Sequence, residues 1–138
     1  MSLDPVAPFL GALHTAALEA MRNAYAPYSK FHVGAALLTE DGSVIAGCNV
    51  ENASYPAGIC AERAAIGAAV AAGHLRFRAV LISTEADTPT PPCGVCRQVL
   101  AEFGTDLAVI ARTTNGGEAR WVLADLLPDP FTPASFRQ

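Results

Sequence analysis

The sequence predicts an α/β fold with three layers (α/β/α), in which a mixed five-stranded sheet lies between helices. Two observations support this prediction. Segments with helical and strand periodicity follow one another in the order helix, hairpin, helix, strand, helix, hairpin. The length of 138 residues also suits one domain, because a chain of this size buries roughly two-thirds of its unfolded surface. We therefore expect a single domain over residues 1–138.

The first half of the chain is expected to contain one helix, one hairpin and one long loop. Apolar residues recur at helical spacing until Pro27, which ends the helical pattern. Asp41 and Gly42 lie between two apolar runs, and an Asp-Gly pair in this position is a strong hairpin signal. A long loop inside a compact domain is often functional. The expected elements are a helix at 6–24, strands at 33–38 and 43–48, and a loop at 49–58.

The second half is expected to contain two longer helices separated by strands. After Arg63 the first of these helices consists of small and apolar residues, so no face beyond its first turn is polar. We therefore expect this helix to be buried on all sides. Trp121 is assigned to the core. The expected elements are a helix from 59 or 60 to about 72, a strand at 79–84, a proline-rich loop at 85–92, a helix at 94–103, strands at 107–111 and 118–122, and one helical turn at 124–127.

The composition excludes two broad classes of function. Charged residues make up 16% of the chain, below the globular norm of about 25%, and the net charge is −4 with no basic cluster. This pattern argues against a nucleic-acid groove, and no apolar run approaches the ~20 residues of a membrane helix. A chain so poor in charge is expected to cover part of its surface with other subunits. The segment MSLDP (1–5) lacks the features of a signal peptide, which predicts a cytoplasmic protein.

The four cysteines suggest a metal site or reduced thiols rather than disulfides. Cys93 and Cys96 form a C-x-x-C pair, and Cys60 can supply a third thiolate. Both segments begin helices at the same end of the predicted sheet. Three protein ligands leave the fourth tetrahedral position of a zinc ion to a water, as in catalytic sites. Cys48 ends a strand and is interpreted as structural, although all four cysteines could instead close around the metal.

Glu62 lies two residues after Cys60, which is too close along the backbone for a comfortable fourth ligand but within reach of a zinc-bound water. It is therefore interpreted as a general acid and base.

Three thiolates and one zinc ion sum to a charge of minus one, which nearby donors would offset. Arg63 is interpreted as such a donor to sulfur. For Arg97, this role and that of a solvated arginine at a helix start are equally supported.

The order of Cys60, Glu62 and the Pro-Cys-x-x-Cys segment is the signature of zinc deaminases. The chain resembles the small, homotetrameric cytidine deaminases from residue 25 to residue 128, most specifically in the segments CAER (60–63), PCGVCRQ (92–98) and GCNVEN (47–52). The resemblance implies a cytidine deaminase-like fold and hydrolysis of cytidine and deoxycytidine to the uridine products with release of ammonia. It also implies one zinc ion per subunit, a role in pyrimidine salvage, and a homotetramer whose active sites are shared between subunits.

The resemblance further implies a role for each of ten residues. Cys60, Cys93 and Cys96 would be the zinc ligands, and Glu62 would be the proton shuttle. Asn49 and Glu51 would bind the ribose hydroxyls, and Phe31 would form a wall of the pyrimidine pocket. The backbones of Ala61 and Pro92 would bind the base and its amino group, and Phe131 would cap a neighbouring subunit's site.

Three other functions compete with this one. The first is deamination of another aminated pyrimidine nucleoside, because related deaminases share the zinc motifs. The second is action on a base within RNA or DNA, which the charge of −4 disfavours. The third is a non-catalytic module stabilised by zinc, in which Glu62 would have no purpose and Cys48 would complete the metal site.

Overall fold

A computed structural model describes residues 4–136 and confirms the predicted α/β architecture, with one mixed five-stranded sheet and helices on both faces. The strand order is β2-β1-β3-β4-β5, and only β3 and β4 pair in parallel among the described strands. The elements are α1 (Leu10–Arg22), β1 (Val33–Thr39), β2 (Val44–Cys48), α2 (Ala61–Ala71), β3 (Phe77–Thr84), α3 (Gly94–Ala101), β4 (Ala108–Thr113), β5 (Glu118–Val122) and α4 (Leu123–Leu126).

Residues 1–3, part of the segment that predicts the absence of a signal peptide, lie outside the described residues, as do residues 137 and 138. The extent of the single domain over 1–138 thus stays a prediction. Within residues 4–136, no helix combines the length and apolar character needed to cross a bilayer.

The sheet is covered on both faces, which explains why β1 is apolar at successive positions rather than at alternate ones. Ala35 and Leu37 belong to one core cluster, together with residues of α2 and α3. Ala36 and Leu38 belong to the other, together with residues of α1. Trp121 packs against the first cluster, which confirms its assignment to the core.

Two glycines allow the helix backbones to lie unusually close to the sheet. A Cβ atom added to Gly34 would lie 1.9 Å from the carbonyl oxygen of Ala17 in α1. One added to Gly47 would lie 2.4 Å from the backbone nitrogen of Ala65 in α2. Because only glycine fits this separation, Gly47 fixes the depth at which α2 packs on β2.

The prediction that α2 is buried on all sides is wrong for the single chain. Ala61, Glu62, Ala65, Ile66 and Ala69 are buried, and they face the sheet and α3. The opposite face is exposed, because none of the elements within residues 4–136 lies over it. The exposed residues of this face are Gly67, Ala68, Val70, Ala71 and Ala72.

The remaining differences are at element boundaries. The segment preceding α1 forms a separate 3-10 turn at Ala7–Phe9, with a proline in its first positions. A second short 3-10 turn, Tyr55–Ala57, lies within the predicted loop 49–58. The predicted helix 94–103 ends at Ala101, and β4 extends beyond the predicted 107–111 to Thr113.

Candidate metal and catalytic site

Three cysteine sulfurs converge where two helices begin. Cys60 is the N-cap residue of α2 and Cys93 is the N-cap residue of α3, and both have extended backbones. Cys96 is buried in the first turn of α3. The three Sγ atoms lie within 4.8 Å of one another, and those of Cys60 and Cys93 are 3.9 Å apart. This separation fits one tetrahedral zinc ion, since two Zn–S bonds of about 2.3 Å place their sulfurs roughly 3.8 Å apart.

Cys48 is not part of this cluster. It ends β2, is half-buried and pairs with Gly34 of β1. Within residues 4–136, no second group of three histidine, cysteine or acidic side chains has atoms close enough together to hold a metal ion. The donor set is therefore three sulfurs, which suits zinc and leaves one tetrahedral position open.

Hydrogen bonds favour negative charge at the Cys60 sulfur. The Cys96 thiol and then the Arg63 guanidinium donate to it, which lowers the pKa of Cys60 to about 5. The distance from Arg63 Nη2 to Cys60 Sγ is 3.3 Å. The pKa of Cys96 is raised in turn, because its proton is shared with Cys60 and because the residue is buried. A metal ion would replace that shared proton.

The Arg63 side chain is directed at this sulfur. Its Nε atom is buried and has no hydrogen-bond partner among the described residues. Arg63 as a whole is half-buried, and the negative charge favoured at the Cys60 sulfur lies next to its guanidinium. Arg97 behaves differently from Arg63, since it donates to the carbonyl oxygens of Pro92 and Leu126, at 2.8 and 2.9 Å.

Glu62 is buried beside the sulfurs, in the first turn of α2, with only 5% of its surface exposed. Burial raises the pKa of its carboxyl, and the negative charge of Cys60 raises it further. The carboxyl contributes to the wall of a cavity of about 270 Å³. A carboxyl with a raised pKa holds a proton more readily than an ordinary one, which suits a group that must both accept and release a proton.

The cavity has a metal side and a loop side. Its metal side is formed by Cys60, Ala61, Glu62 and Cys93, and its loop side by Ser29, Phe31, Asn49 and Glu51. Thr90 and Pro91, which precede the C-x-x-C segment, also line it. A neighbouring cavity of about 370 Å³ shares Ser29 and Glu51 with it and extends to Tyr28 and Tyr55. The cavity beside the sulfurs therefore adjoins a second one along the loops that carry Tyr28 and Tyr55.

Asn49 and Glu51 are held against the loop that carries Phe31. Asn49 Oδ1 accepts the Val33 N–H at 2.8 Å, and Asn49 Nδ2 donates to the Phe31 carbonyl at 2.8 Å. Glu51 Oε1 accepts the backbone N–H groups of Tyr28 and Ser29, each at 3.0 Å. With a further bond from the Ser29 hydroxyl to Glu51 Oε2, these bonds leave one N–H of Asn49 and one lone pair of Glu51 for a ligand.

Ser29 is the site residue that sequence reasoning missed. Its hydroxyl donates to Glu51 Oε2 and accepts the Phe31 N–H at 3.0 Å. The bond from the Ser29 hydroxyl, followed by that from the Ser29 N–H, lowers the pKa of the Glu51 carboxyl. A serine after a proline turn is common, and nothing local in the sequence indicates a partner 22 positions away.

The other predicted substrate contacts are placed as follows. Phe31 lines the cavity and is 37% exposed, and Ala61 lies at the start of α2, where the helix leaves its first N–H groups without internal partners. Pro92 is buried, and its carbonyl binds Arg97. Phe131 is 58% exposed and packs edge-on against Phe136, with the ring centroids 5.1 Å apart.

Comparison with known proteins agrees with this geometry. The model of the cytidine and deoxycytidylate deaminase zinc-binding region matches residues 10–112. A cytidine deaminase of Halalkalibacterium halodurans is 45% identical over 117 residues, which cover 84% of this chain and 89% of that protein. The crystal structure of a cytidine deaminase from Burkholderia pseudomallei superposes with a TM-score of 0.85 at 49% identity, covering 88% of this chain and 98% of that one. A blasticidin-S deaminase of Bacillus cereus is 31% identical over 75% of this chain and 79% of its own length.

Proposed function

The chain belongs to the cytidine and deoxycytidylate deaminase family, and we propose that it hydrolyses cytidine and deoxycytidine to the uridine products and ammonia. The observation that carries this proposal is the set of three convergent sulfurs with the buried carboxyl of Glu62 beside them in one cavity. We place the activity in pyrimidine salvage in the cytoplasm, where cysteine thiols stay reduced.

The cofactor is zinc, and the sulfurs of Cys60, Cys93 and Cys96 would hold one ion per subunit. When bound, zinc supplies a Lewis acid that lowers the pKa of a water to about 7. Arg63 offsets the excess negative charge of three thiolates by donating to Cys60, and the distance of 3.3 Å from its Nη2 atom to Cys60 Sγ supports this role.

Glu62 moves the protons of the reaction. One carboxylate oxygen takes a proton from the attacking water and delivers it to the ring nitrogen beside the carbon that carries the amino group. Once the water oxygen has added to that carbon, the carboxylate takes the remaining proton of the new hydroxyl group and gives it to the amino group. The carbon–nitrogen bond then breaks as the C=O bond forms, and the amino group leaves as ammonia. The burial of Glu62 supports this role, because a raised pKa brings the carboxyl nearer to the working pH.

Asn49 and Glu51 would bind the ribose hydroxyls. Each already fixes its own position through bonds to the loop 28–33, and each has hydrogen-bonding capacity left over. A hydroxyl can donate to the Glu51 carboxylate and accept from the free N–H of Asn49. The pair is therefore prepared for a sugar before the substrate arrives, which reduces the entropy lost on binding.

The base would lie against Phe31, with the Ala61 N–H as a backbone donor. The second lone pair of the Pro92 carbonyl would accept the amino group, while Arg97 occupies the first. These contacts would orient the amino-bearing carbon toward the three sulfurs and Glu62.

We also propose that the protein is a homotetramer in which Phe131 caps the pyrimidine in a neighbouring subunit. The exposed apolar face of α2 supports assembly, because pairing such faces across symmetry axes would bury them. Phe131 itself is exposed and is not part of the wall of its own chain's cavity. An aromatic cap stacked on the base contributes about 0.5–1.5 kcal/mol.

The test is ammonia release by the purified zinc-loaded protein, with cytidine, deoxycytidine, cytosine and adenosine assayed in parallel. We expect turnover of the two cytidine nucleosides only. Absence of turnover with both, in protein that holds one zinc per chain, would overturn the proposal.

A second candidate is deamination of a nucleoside antibiotic, favoured by the similarity to a blasticidin-S deaminase. Adding blasticidin S as a substrate in the same assay distinguishes this activity from deamination of cytidine. The paired contacts of Asn49 and Glu51 favour a ribose with free hydroxyls, and hence cytidine.

A further inference from the structure

The segment after α4 is attached to α3 through Gln98. Gln98 Nε2 donates to the carbonyl oxygen of Phe131 at 2.7 Å, and the Phe131 N–H donates to Gln98 Oε1 at 3.2 Å. One side-chain amide therefore satisfies both backbone polar groups of Phe131, as a neighbouring strand would. Phe131 lies between α4 and a 3-10 turn at Pro133–Phe136, outside any regular element.

Arg97 attaches the same segment at a second point. Its guanidinium joins the carbonyl of Pro92, just before Cys93, to that of Leu126, at the end of α4. Positions 126 and 131 are thus both bound to the helix that begins with the Cys93 and Cys96 segment.

The ring of Phe131 is not fixed by burial in its own chain. It is 58% exposed, and its partner Phe136 is 74% exposed. The direction in which the ring projects is therefore set mainly by the backbone of Phe131, which Gln98 holds.

We propose that Gln98 is a positioning residue that presents Phe131 to the substrate of a neighbouring subunit and ties its position to α3. This inference rests on the proposed role of Phe131. Without the Gln98 bonds, the backbone of Phe131 would be ordered only when substrate binds, and the cost would appear in KM.

The experiment is a double-mutant cycle with Gln98→Met, which keeps the length of the side chain and removes both hydrogen bonds. We expect KM for cytidine to rise about 5- to 30-fold, the factor expected for ordering one residue's backbone. We expect kcat and zinc content to stay nearly unchanged. In a Phe131→Ala background, Gln98→Met should add nothing further to KM, because no ring is left to position.

Ser135→Ala is the matched control, since it removes the hydrogen bond from the Thr132 N–H in the same segment without touching Phe131. Its KM should equal that of the wild type. If Gln98→Met does not fold, Gln98→Glu enters the same cycle, because it keeps the acceptor and loses the donor to the Phe131 carbonyl.

The outcomes distinguish the capping role of Phe131 from its positioning by Gln98. A normal KM in Phe131→Ala overturns the capping role and this inference with it. A raised KM in Phe131→Ala with a normal KM in Gln98→Met overturns the inference alone. An equal effect of Gln98→Met with and without the Phe131 ring also overturns it, because Gln98 would then act through α3 and not through Phe131.

Discussion

The two sides of the cavity are built by different means. On the metal side, Cys60 and Cys93 are N-cap residues of helices packed on the sheet, so their positions follow from the fold. On the loop side, Asn49 and Glu51 belong to irregular backbone and are held by hydrogen bonds to residues around 28–33. The metal side is therefore fixed by helix packing, whereas the loop side is fixed by a few side-chain hydrogen bonds. Substitutions should abolish activity on the first side and weaken binding on the second.

The largest effect is expected from removing a metal ligand. Cys96→Ser should lose zinc and activity, because Cys96 is the buried member of the three-sulfur cluster. Cys48→Ser is the matched control and should keep one zinc per chain and most activity. Elemental analysis of both proteins decides the point, and loss of zinc from Cys48→Ser would contradict a site of three sulfurs.

The next largest effect should come from Glu62→Gln, which keeps the shape of the side chain and removes its proton transfer. We expect kcat to fall by about 10²–10⁴-fold, the usual contribution of a general acid and base. Zinc content and thermal stability should stay close to those of the wild type. Turnover near the normal rate would exclude Glu62 as the proton shuttle.

A third prediction concerns how packing fixes the metal side. Gly47→Ala should reduce the free energy of unfolding by about 1–3 kcal/mol, the usual cost of overpacking, because its Cβ would meet the backbone of Ala65 in α2. Gly11→Ala is the control, since a Cβ there meets nothing within 4 Å. Chemical denaturation measures the free energy of unfolding of both variants. Equal stability of the two variants would mean that α2 can shift freely on β2.

The difference between the metal side and the loop side also explains which features the sequence could predict. The order of elements, the mixed sheet and the sulfur cluster follow from local periodicity and from cysteine spacing. The bonds from Ser29 to Glu51 and from Asn49 to Phe31 connect positions 22 and 18 residues apart, and no local pattern encodes them. The exposed face of α2 was mispredicted because composition reports that a face is apolar but does not tell whether the same chain covers it.

The role of Arg97 required the structure for a similar reason. In sequence it adjoins Cys96 and could equally be a sulfur donor or a solvated arginine. Its partners are the carbonyls of Pro92 and Leu126, and the second lies 29 positions away. Arg63 lies three residues after Cys60, and thus one helical turn from it, on a helix whose other residues form no polar face. These two features predict its bond to sulfur from the sequence.

The smallest effect is expected on the loop side, from Ser29→Ala. The lost hydroxyl bond should raise KM for cytidine by about 2- to 10-fold, the range for one hydrogen bond, and leave kcat and zinc unchanged. The pH dependence gives a sharper readout. The Ser29 hydroxyl is the main reason that the pKa of Glu51 is lowered, so its removal should raise that pKa toward its ordinary value. If the ionised carboxylate binds the sugar as proposed, KM should begin to rise at a higher pH on acidification in Ser29→Ala than in the wild type. Ser29→Thr keeps the hydroxyl and should restore the wild-type profile. If both variants share the wild-type onset, Glu51 does not depend on Ser29, and the loop side is held by its backbone bonds alone.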